Sequence, residues 1–349
     1  MGYGAAESPL ARDLDKVMSR AGASLEAMRG KRLFVTGGTG FFGRWVLESL
    51  VHANRALARG LSVVVLTRNV AAFRAREPAL AASRELSFLE GDVRSFRFPE
   101  GRFDFEIHAA TDTNAKLHQE DPLGMFDTIV EGTRRALDFA REAGRPRVLF
   151  TSSGAVYGKQ SPEIESVDED YQGAPSPSDA GAAYGHGKRA AEHLCALYGE
   201  RYGVECTIAR CFAFVGPHLP IAAHFAIGNF IRDGLGGRPI RVSGDGTPYR
   251  SYLYAADLAA WLLTILVRGV PNRPYNVGSD EGLTIAELAT RVGAHFGVGV
   301  EIARRPPPGR PAERYVPCIR RAREELSLAP WTGLDEAIAR TARWHEARG

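Results

Sequence analysis

Three residues in the middle of the chain have side chains that could together move a proton: Ser153, Tyr184 and Lys188. Tyr184 and Lys188 are four positions apart, so on a helix they lie on one face. A free tyrosine has a pKa of about 10 and is a poor base at neutral pH. A nearby ammonium group favours the phenolate and makes Tyr184 a usable general base, while Ser153 would hydrogen-bond to the same substrate oxygen. Taken alone, this spacing is common, and an ordinary helix face is the competing interpretation.

A glycine-rich stretch near the N-terminus indicates which kind of ligand this chemistry would serve. The glycines are Gly37, Gly38, Gly40 and Gly43, and the last three fit the pattern G-x-G-x-x-G. The apolar run before them predicts a buried strand, and the segment after them predicts an amphipathic helix. In such a turn, glycine lets a pyrophosphate approach the backbone N–H groups at the helix N-terminus, so we predict a dinucleotide site. The residues expected to contact the dinucleotide here are Gly37, Gly40, Phe41, Phe42 and Gly43.

The residues after the next two predicted strands bear on the choice of dinucleotide. An NAD site usually has an acidic residue at the end of the second strand, where it binds the ribose 2′-hydroxyl. That acid is missing here, and Arg68 stands where it could bind a 2′-phosphate, with a solvated surface arginine as the alternative. We therefore expect NADP in preference to NAD. After the third strand, Asp92 beside Val93 could hydrogen-bond to the adenine, or Asp92 could cap a turn.

The elements that must position these residues alternate between strands and helices. After the first strand, we predict strands at 61–66, 87–90, 105–108, 147–151 and 206–210, and a helix at 125–143. This alternation predicts an α/β fold of the Rossmann type, a doubly wound parallel sheet covered by helices on both faces. We divide the chain into an N-terminal helical extension (1–30), an NAD(P)-binding domain (31–215, with a later return near 252–280) and a smaller C-terminal substrate-binding lobe (216–349), which a helix at 334–347 closes.

Composition argues against several other classes of protein. The chain has 349 residues, 24% of them charged, and a formal net charge of only +3, so we predict neither a nucleic-acid partner nor a membrane surface. The longest uncharged apolar run, 258–267, is too short to cross a bilayer, and residues 1–10 do not resemble a signal peptide. No C-x-x-C pair occurs, so we expect free thiols, no metal site and a reducing cytoplasmic location. The cysteines are Cys195, Cys206, Cys211 and Cys318.

Several motifs together resemble those of the extended short-chain dehydrogenases/reductases and, more narrowly, of the nucleotide-sugar epimerase/dehydratase family. The motifs are TGGTGFFG (36–43), HAA (108–110), TSSGAVYG (151–158), YGHGK (184–188), GP (216–217), GDGTPYRSYLYAAD (244–257) and YNVGS (275–279). The resemblance covers residues 31–345 and is specific for this branch, although not for one substrate. It implies a cofactor pocket that includes Ala109 and Ala110.

The resemblance implies a redox cycle at a sugar carbon, usually C4. Tyr184, whose phenolate a positive nicotinamide also favours, would remove the hydroxyl proton while hydride moves to the nicotinamide, and Ser153 and Lys188 would support the anion. Return of hydride to the other face of the 4-keto sugar gives an epimer, whereas a keto sugar supplied with NADPH is reduced. Arg250 is expected to bind the nucleotide diphosphate as a bidentate fork, unless it is a surface arginine next to a turn, and Arg314 is a weaker second clamp.

One departure from the family pattern limits the choice of reaction. The resemblance implies an acidic residue or pair between Ser153 and Tyr157 in the 4,6-dehydratases and UDP-glucuronate decarboxylases. Here Gly154 and Ala155 occupy those positions, and they can transfer no proton. Elimination or decarboxylation would then need a substitute acid. The candidates for that substitute are Glu163, Asp168 and His186.

A second departure concerns the substrate. Where the family usually has an asparagine that contacts the sugar nucleotide, this chain has Ala213, so we expect a more apolar pocket there. Our favoured prediction is a C4 epimerase or 4-ketoreductase acting on a nucleotide sugar. A 4,6-dehydratase with a relocated acid, a reductase of a non-sugar carbonyl and a non-catalytic cofactor-binding module are the alternatives.

The resemblance also implies a homodimer. The helices around 125–142 and 185–202 would pack against those of a second copy as a four-helix bundle. Small and apolar positions available for that contact are Ala190, Ala191, Leu194 and Leu197. The alternative is that these side chains face the sheet within one subunit.

Overall fold

Parallel strands form the centre of the molecule in the computed structural model, which describes residues 10–57, 60–111, 120–222, 225–309 and 311–348. Within these residues the strands are β1 (Arg32–Thr36), β2 (Ser62–Thr67), β3 (Leu86–Glu90), β4 (Phe105–His108), β5 (Arg147–Ser153), β6 (Cys206–Cys211), β7 (Phe214–Val215), β8 (Ile240–Val242), β9 (Tyr249–Arg250), β10 (Leu253–Tyr254), β11 (Pro274–Val277), β12 (Leu283–Thr284), β13 (Val300–Ile302) and β14 (Arg314–Tyr315). Seven of them make one sheet in the order β11-β6-β5-β4-β1-β2-β3, with every neighbouring pair parallel. This is the doubly wound Rossmann arrangement that the sequence predicts.

Helices follow most of these strands. They are α1 (Ala11–Arg20), α2 (Gly22–Ala27), α3 (Phe41–Leu57), α4 (Val70–Arg76), α5 (Pro78–Ala81), α6 (Pro122–Glu142), α7 (Ala183–Tyr202), α8 (Ala226–Leu235), α9 (Ala255–Arg268), α10 (Ile285–Phe296), α11 (Arg320–Leu326) and α12 (Leu334–Glu346). Short 3₁₀ turns occupy Gly154–Tyr157 and Ala180–Ala182. The pair α6 and α7 packs together on one side of the sheet, while α3 and α9 pack together with α1 in a second layer.

The predicted strands are present within two residues of their expected limits, because each is an apolar run between turn residues. The predicted helices at 125–143 and 334–347 correspond to α6 and α12. Sequence periodicity did not mark β11, which has four residues including a proline and an asparagine. Its place is fixed by pairing with β6, with Asn276 opposite Arg210.

The order of strands places a crevice at the carboxyl ends of β1 and β4. The chain builds the sheet outward from β1 through β2 to β3, then returns to the other side of β1 with β4. Thr36 and His108 are register partners at the last positions of these two strands. Ligands of open α/β sheets bind at such a switch point, so this edge is where a site is expected.

The C-terminal part adds small sheets and a helix, α9, that is buried from Ala255 to Leu266. Strand β9 pairs with β12 and β14, β7 pairs with β10, and β8 pairs with β13. In α9 the side chains of Leu258, Trp261 and Leu262 are fully buried. Across the described ranges, every helix falls short of the length and apolar character needed to span a bilayer.

Candidate active site

The turn between β1 and α3, here called the glycine turn (37–43), is tight on one side and open on the other. Gly37 has φ +71°, and a Cβ there would lie 2.4 Å from the carbonyl carbon of Ala109. At Gly43 a Cβ would lie 2.3 Å from the carbonyl oxygen of Gly37. Gly40 is exposed, and the nearest atom to its Cβ would be the same oxygen at 3.3 Å. The turn is therefore closed toward the sheet and accessible from outside.

Ala110 is tied to β1 by hydrogen bonds that the sequence analysis did not identify. Thr36 Oγ1 accepts from the backbone N–H of Ala110 at 3.2 Å and lies 2.7 Å from His108 Nδ1. His108 Nε2 lies 3.1 Å from Thr133 Oγ1, which donates to a carbonyl of its own helix. Burial lowers the pKa of His108 to about 3. The imidazole is therefore neutral and links β1, β4 and α6 behind Ala109 and Ala110.

Lys188 is buried where α7 crosses β5. Only 2% of its surface is exposed, and Nζ donates to Thr111 Oγ1 at 2.7 Å and to the Thr151 carbonyl at 2.8 Å. Nζ also lies 4.9 Å from the centroid of the Phe150 ring. Burial lowers the pKa of Lys188 to about 8, because the ammonium form loses more hydration than the neutral amine. These contacts hold the ammonium group in one place, and it loses its charge above that pH.

Tyr184 lies one helical turn before Lys188 and hydrogen-bonds to Ser153 at the end of β5. Lys188 Nζ is 5.8 Å from the centroid of the Tyr184 ring, so the three predicted acid–base residues meet. Burial nevertheless raises the pKa of Tyr184, and the Ser153 hydrogen bond offsets this only in part. The lowered pKa of Tyr184 that was expected from Lys188 is therefore not found in the protein by itself, where the loss of hydration is the largest effect. A positive nicotinamide is then the contribution that has to favour the phenolate.

Two aromatic side chains close the space beside Ser153. A Cβ at Gly154 would lie 2.8 Å from the Phe212 ring and 2.8 Å from the Tyr315 hydroxyl. The two rings pack with their centroids 4.7 Å apart, and Tyr315 Oη lies 3.4 Å from Ser153 Oγ. The sequence analysis did not identify Tyr315 or Phe212 as site residues. Position 154 has no room for a side chain unless these rings move.

Arg250 and Arg314 lie on neighbouring strands but on opposite faces. In the parallel pair β9 and β14, Arg314 is opposite Tyr249, and Tyr315 is opposite Arg250. Register partners share a face and successive residues alternate, so Arg250 lies on the face of Tyr315. Arg314 stacks on the Tyr249 ring at 4.1 Å, whereas Arg250 Nη1 donates to the Tyr249 carbonyl at 2.8 Å. Of the two arginines predicted to bind the nucleotide diphosphate, Arg250 shares a face with Tyr315, whose hydroxyl lies close to Ser153 Oγ.

The predicted adenine and ribose contacts lie on the surface after β2 and β3. Arg68 is exposed directly after β2. Asp92 Oδ1 accepts from both the backbone N–H and Nε of Arg94, each at 2.9 Å, so Asp92 caps a turn. The Arg94 side chain is the main reason that the pKa of Asp92 is lowered, and the charge of Arg68 adds to this. Val93 is buried against Gly132 of α6.

A buried polar network that the sequence analysis missed joins β5, β6, β11 and α7. Tyr157 donates to Asn276 Oδ1 at 2.8 Å and accepts from Arg210 Nη1 at 2.9 Å. Arg210 forms an ion pair with Glu192 at 2.7 Å, and Ser152 donates to the same carboxylate at 2.5 Å. Burial raises the pKa of Tyr157, which therefore stays protonated. Tyr157 and Asn276 stand in family motifs, but only the fold shows that they touch.

The candidate substitute acids are engaged elsewhere, and Ala213 adds no polar side chain. Glu163 is exposed, Asp168 Oδ1 accepts from the backbone N–H of Asp170 at 3.1 Å, and His186 Nε2 lies 3.0 Å from the Ser176 carbonyl. The atoms nearest to a Cβ at position 154 belong to Phe212 and Tyr315 and not to any of these three residues. Ala213 uses its carbonyl to accept from the backbone N–H of Leu253 at 3.0 Å.

The groups along this edge suit a nicotinamide dinucleotide. Helix α3 begins at Phe41, so the N–H groups of Phe41 and Phe42 have no acceptor within it, and together with the open backbone at Gly40 they fit a pyrophosphate. Among the described residues, no cluster of histidine, cysteine and acidic side chains has the makings of a metal site, and all four cysteines are free thiols.

The fold and this site together define a class: a dinucleotide-dependent enzyme of the extended short-chain dehydrogenase/reductase type. A sequence model of the NAD dependent epimerase/dehydratase family matches residues 33–278, and the chain belongs to that family.

Similar proteins carry out different reactions. UDP-glucuronic acid decarboxylase 6 of Arabidopsis thaliana is 30% identical over 308 residues, which is 88% of this chain and 86% of that protein. The dTDP-glucose 4,6-dehydratase DesIV of Streptomyces venezuelae, solved with NAD bound, is 26% identical with a TM-score of 0.76, over 90% of this chain and 97% of that chain. UDP-glucose 4-epimerase of Thermotoga maritima, solved with UDP-glucose, has a TM-score of 0.75 over 91% and 99% of the two chains, and at 21% identity this similarity shows the fold alone. Membership of the family therefore does not choose the reaction.

Proposed function

We propose that this protein is an epimerase or ketoreductase that acts at C4 of a nucleotide sugar through a 4-keto sugar. Tyr184 takes the proton of the reacting hydroxyl, Ser153 hydrogen-bonds to the same oxygen, and Lys188 supports the negative charge. When bound, the nicotinamide supplies the acceptor and donor of hydride. Reduction of the 4-keto sugar on its other face gives the epimer, and reduction of a keto sugar from outside gives a new alcohol.

The closed position at Gly154 is the observation that supports this choice. Elimination of water and loss of carbon dioxide both need a further acid or base beside the reacting carbons. At that place a Cβ would lie only 2.8 Å from Phe212 and from Tyr315, and Ala155 follows with no titratable group. A redox cycle at one carbon needs no such group. The proposal therefore departs from the reactions named for the decarboxylase and dehydratase relatives.

We propose that the enzyme binds its substrate through a nucleoside diphosphate group. Arg250 lies on the face of β9 that Tyr315 shares on β14, and its guanidinium centre is 5.9 Å from the Tyr315 ring centroid. A guanidinium fork can bind two phosphate oxygens at once. In the related structures, UDP-glucose is bound to the Thermotoga epimerase. We assign the same class of ligand to this chain.

For the cofactor we propose a preference for NADP over NAD. The exposed Arg68 directly after β2, where NAD-binding proteins usually place an acid, supports this preference. The protein family and the DesIV structure establish dependence on NAD as the general chemistry. The proposed preference for NADP rests on Arg68 of this chain and not on its relatives.

We also propose a homodimer and a cytoplasmic location. Ala191 and Leu194 pack in the core of the subunit, so we do not assign them to the proposed contact. Leu197 on α7 and Leu123 on α6 are exposed and remain available on the outer face of the helix pair. The four free thiols suit a reducing compartment.

A binding panel followed by product analysis tests the proposed reaction. UDP-glucose, UDP-glucuronic acid, UDP-N-acetylglucosamine, dTDP-glucose and a 4-keto nucleotide sugar are ranked by thermal shift, because a ligand of the folded state raises the melting temperature. The ranked sugars are then incubated with the enzyme and either cofactor, and the products are weighed and assigned by NMR. An epimer of unchanged mass, or a keto sugar that gains two hydrogens, supports the proposal. Loss of water, loss of carbon dioxide or failure to bind any nucleotide sugar contradicts it.

Tyr184→Phe tests the assigned base. Removal of the general base should lower turnover by at least about a hundredfold, while cofactor affinity stays within about twofold of wild type. Tyr202→Phe, which removes a phenol at the far end of the same helix, is the matched control and should keep full activity. Turnover that survives in Tyr184→Phe would show that the base has been misassigned.

A further inference from the structure

We propose that Tyr315 is a positioning residue that fixes the direction of the Ser153 hydroxyl, so that its hydrogen points to Tyr184 in the free enzyme and to the reacting oxygen when a substrate is bound. The inference rests on the proposed function, because it adds Tyr315 to the proposed acid–base residues Ser153, Tyr184 and Lys188. It arises from a contact between β14 and the end of β5, where Tyr315 Oη lies 3.4 Å from Ser153 Oγ.

Counting donors and acceptors around the two hydroxyl groups gives the direction. Tyr315 Oη and Ser153 Oγ are 3.4 Å apart, and either hydroxyl could donate across this contact. Ser153 Oγ also accepts from the backbone N–H of Ala155 at 3.2 Å. A hydroxyl has one hydrogen and two acceptor positions. The hydrogen of Ser153 bonds to Tyr184, and Ala155 fills one acceptor position, so the second acceptor position is the one that the Tyr315 hydrogen can fill.

Tyr315 can keep this role because it stays protonated. Burial raises the pKa of Tyr315 to about 12, and the positive charge of Arg250 offsets this only in part. The charged and titratable groups that face this pair are Cys211 from β6, Arg250 from β9 and Lys188 from α7. Burial raises the pKa of Cys211 to about 12 as well, so the thiol is neutral at physiological pH. Tyr315 is thus a fixed donor and never a competing base.

The ring of Tyr315 is held independently of its hydroxyl. It packs on Phe212 with the centroids 4.7 Å apart, and β14 pairs with β9 in register. Tyr315→Phe therefore keeps the ring and the cover over Gly154 and removes only the donor. Without it, Ser153 has an unfilled acceptor position and can turn its hydrogen away, so the phenolate of Tyr184 loses stabilisation.

The central experiment is a double-mutant cycle with Tyr315→Phe and Ser153→Ala, assayed with the nucleotide sugar that the panel ranks first. Tyr315→Phe should lower kcat about tenfold near neutral pH with KM within about twofold of wild type, since one oriented hydrogen bond is lost. The acidic limb of the kcat profile should move to higher pH, while the basic limb that Lys188 sets stays in place. In the Ser153→Ala background, Tyr315→Phe should have no further effect, because it acts only through Ser153.

Tyr249→Phe is the matched control, since it removes a phenol from the strand paired with β14. It should leave kcat and the pH profile unchanged. An equal loss from Tyr315→Phe with and without Ser153, an unshifted acidic limb, or wild-type activity would each overturn the inference. Turnover in Tyr184→Phe would instead overturn the proposed function.

A second readout needs no turnover. Ultraviolet difference titration in the presence of oxidised NADP follows phenol ionisation, and subtracting the Tyr184→Phe curve isolates Tyr184. Its midpoint should rise in Tyr315→Phe and stay unchanged in Tyr249→Phe. A midpoint that stays or falls in Tyr315→Phe contradicts the inference even if no sugar substrate has been found.

Discussion

Arg68 lies on the surface directly after β2, close enough to Asp92 to help lower the pKa of that carboxyl. If it binds the 2′-phosphate, Arg68→Ala should weaken NADPH binding about tenfold, as expected for one exposed charge-assisted contact. NADH, which has no such phosphate, should bind with unchanged affinity. Titration of both cofactors by fluorescence gives the two dissociation constants.

Arg74→Ala on α4 is the control for Arg68, because it removes an exposed arginine close by in the chain. It should change neither affinity. Equal affinities for both cofactors in wild type, or an equal loss of both in Arg68→Ala, would contradict the proposed preference for NADP.

The proposed acid–base residues show what residue types and spacing can predict about a site. Helical spacing was enough to place Tyr184 and Lys188 on one face, and the end of a predicted strand was enough to place Ser153 nearby. Their pKa values were not predictable, because burial is a property of the packed chain. Burial lowers the pKa of Lys188 to about 8 and raises that of Tyr184, which no local pattern reveals.

Among the elements, the glycine turn is constrained by the strand beside it as well as by its own backbone. Gly37→Ala would combine a left-handed backbone with a Cβ 2.4 Å from Ala109. We expect it to lower the free energy of unfolding by more than about 2 kcal/mol and to weaken cofactor binding at least tenfold, because β4 has to move away. Urea denaturation and cofactor titration measure the two effects.

Gly30→Ala separates the cost of the left-handed backbone from the cost of the close contact with Ala109. Gly30 has φ +68°, but a Cβ at this position would have no atom within 4 Å, so only the backbone cost of about 1 kcal/mol applies. It should leave cofactor binding unchanged. If both variants behave alike, the close approach to Ala109 has no energetic consequence.

Short elements limit what a sequence can show. The strands β9 and β14 have two residues each, too few for alternation to be read, and their pairing joins distant parts of the chain. That pairing decides that Arg250 shares a face with Tyr315 while Arg314 does not. The same pairing places Tyr315 beside Ser153. Because this contact joins distant parts of the chain, Tyr315 was not predicted as a site residue from the sequence.

At the scale of the whole molecule, Glu106 is an acid in the middle of the sheet. It is fully buried in β4, neither of its carboxylate oxygens has a hydrogen-bond partner within the described chain, and burial raises its pKa well above the usual value. The folded state therefore holds this proton more tightly than the unfolded state. As pH rises above the unfolded pKa of about 4.3, stability falls until the folded pKa is passed.

Glu106→Met should remove this penalty. We expect the free energy of unfolding at pH 7 to rise by about 1–3 kcal/mol, the cost of an unsatisfied buried polar group, with a smaller gain at pH 5. Urea denaturation across this pH range measures it. Glu301→Met, at an exposed strand position, should give no pH-dependent gain. A gain that does not shrink toward pH 5 would mean that ionisation of Glu106 is not the cause.

The proposed dimer makes a prediction for the outer face of α6 and α7. Leu197 is 45% exposed there, and Leu197→Glu would place a charge in the proposed contact. Light scattering should show a dimer for wild type and a monomer for this variant. Leu57→Glu, at a leucine 44% exposed on α3, should remain dimeric. A wild-type monomer, or loss of the dimer in both variants, would contradict the proposed interface.

The amino-acid sequence by itself determined the parallel sheet, the glycine turn and the placing of Ser153, Tyr184 and Lys188 near one another, because apolar runs, glycine spacing and helical spacing act over a few neighbouring positions. Only the tertiary structure decided what surrounds them. Tyr315 beside Ser153, the rings that close position 154, the opposite faces of Arg250 and Arg314 and the buried network around Tyr157 all depend on contacts between strands far apart in the chain. Such contacts are fixed by sheet register and packing, which no local stretch of sequence encodes.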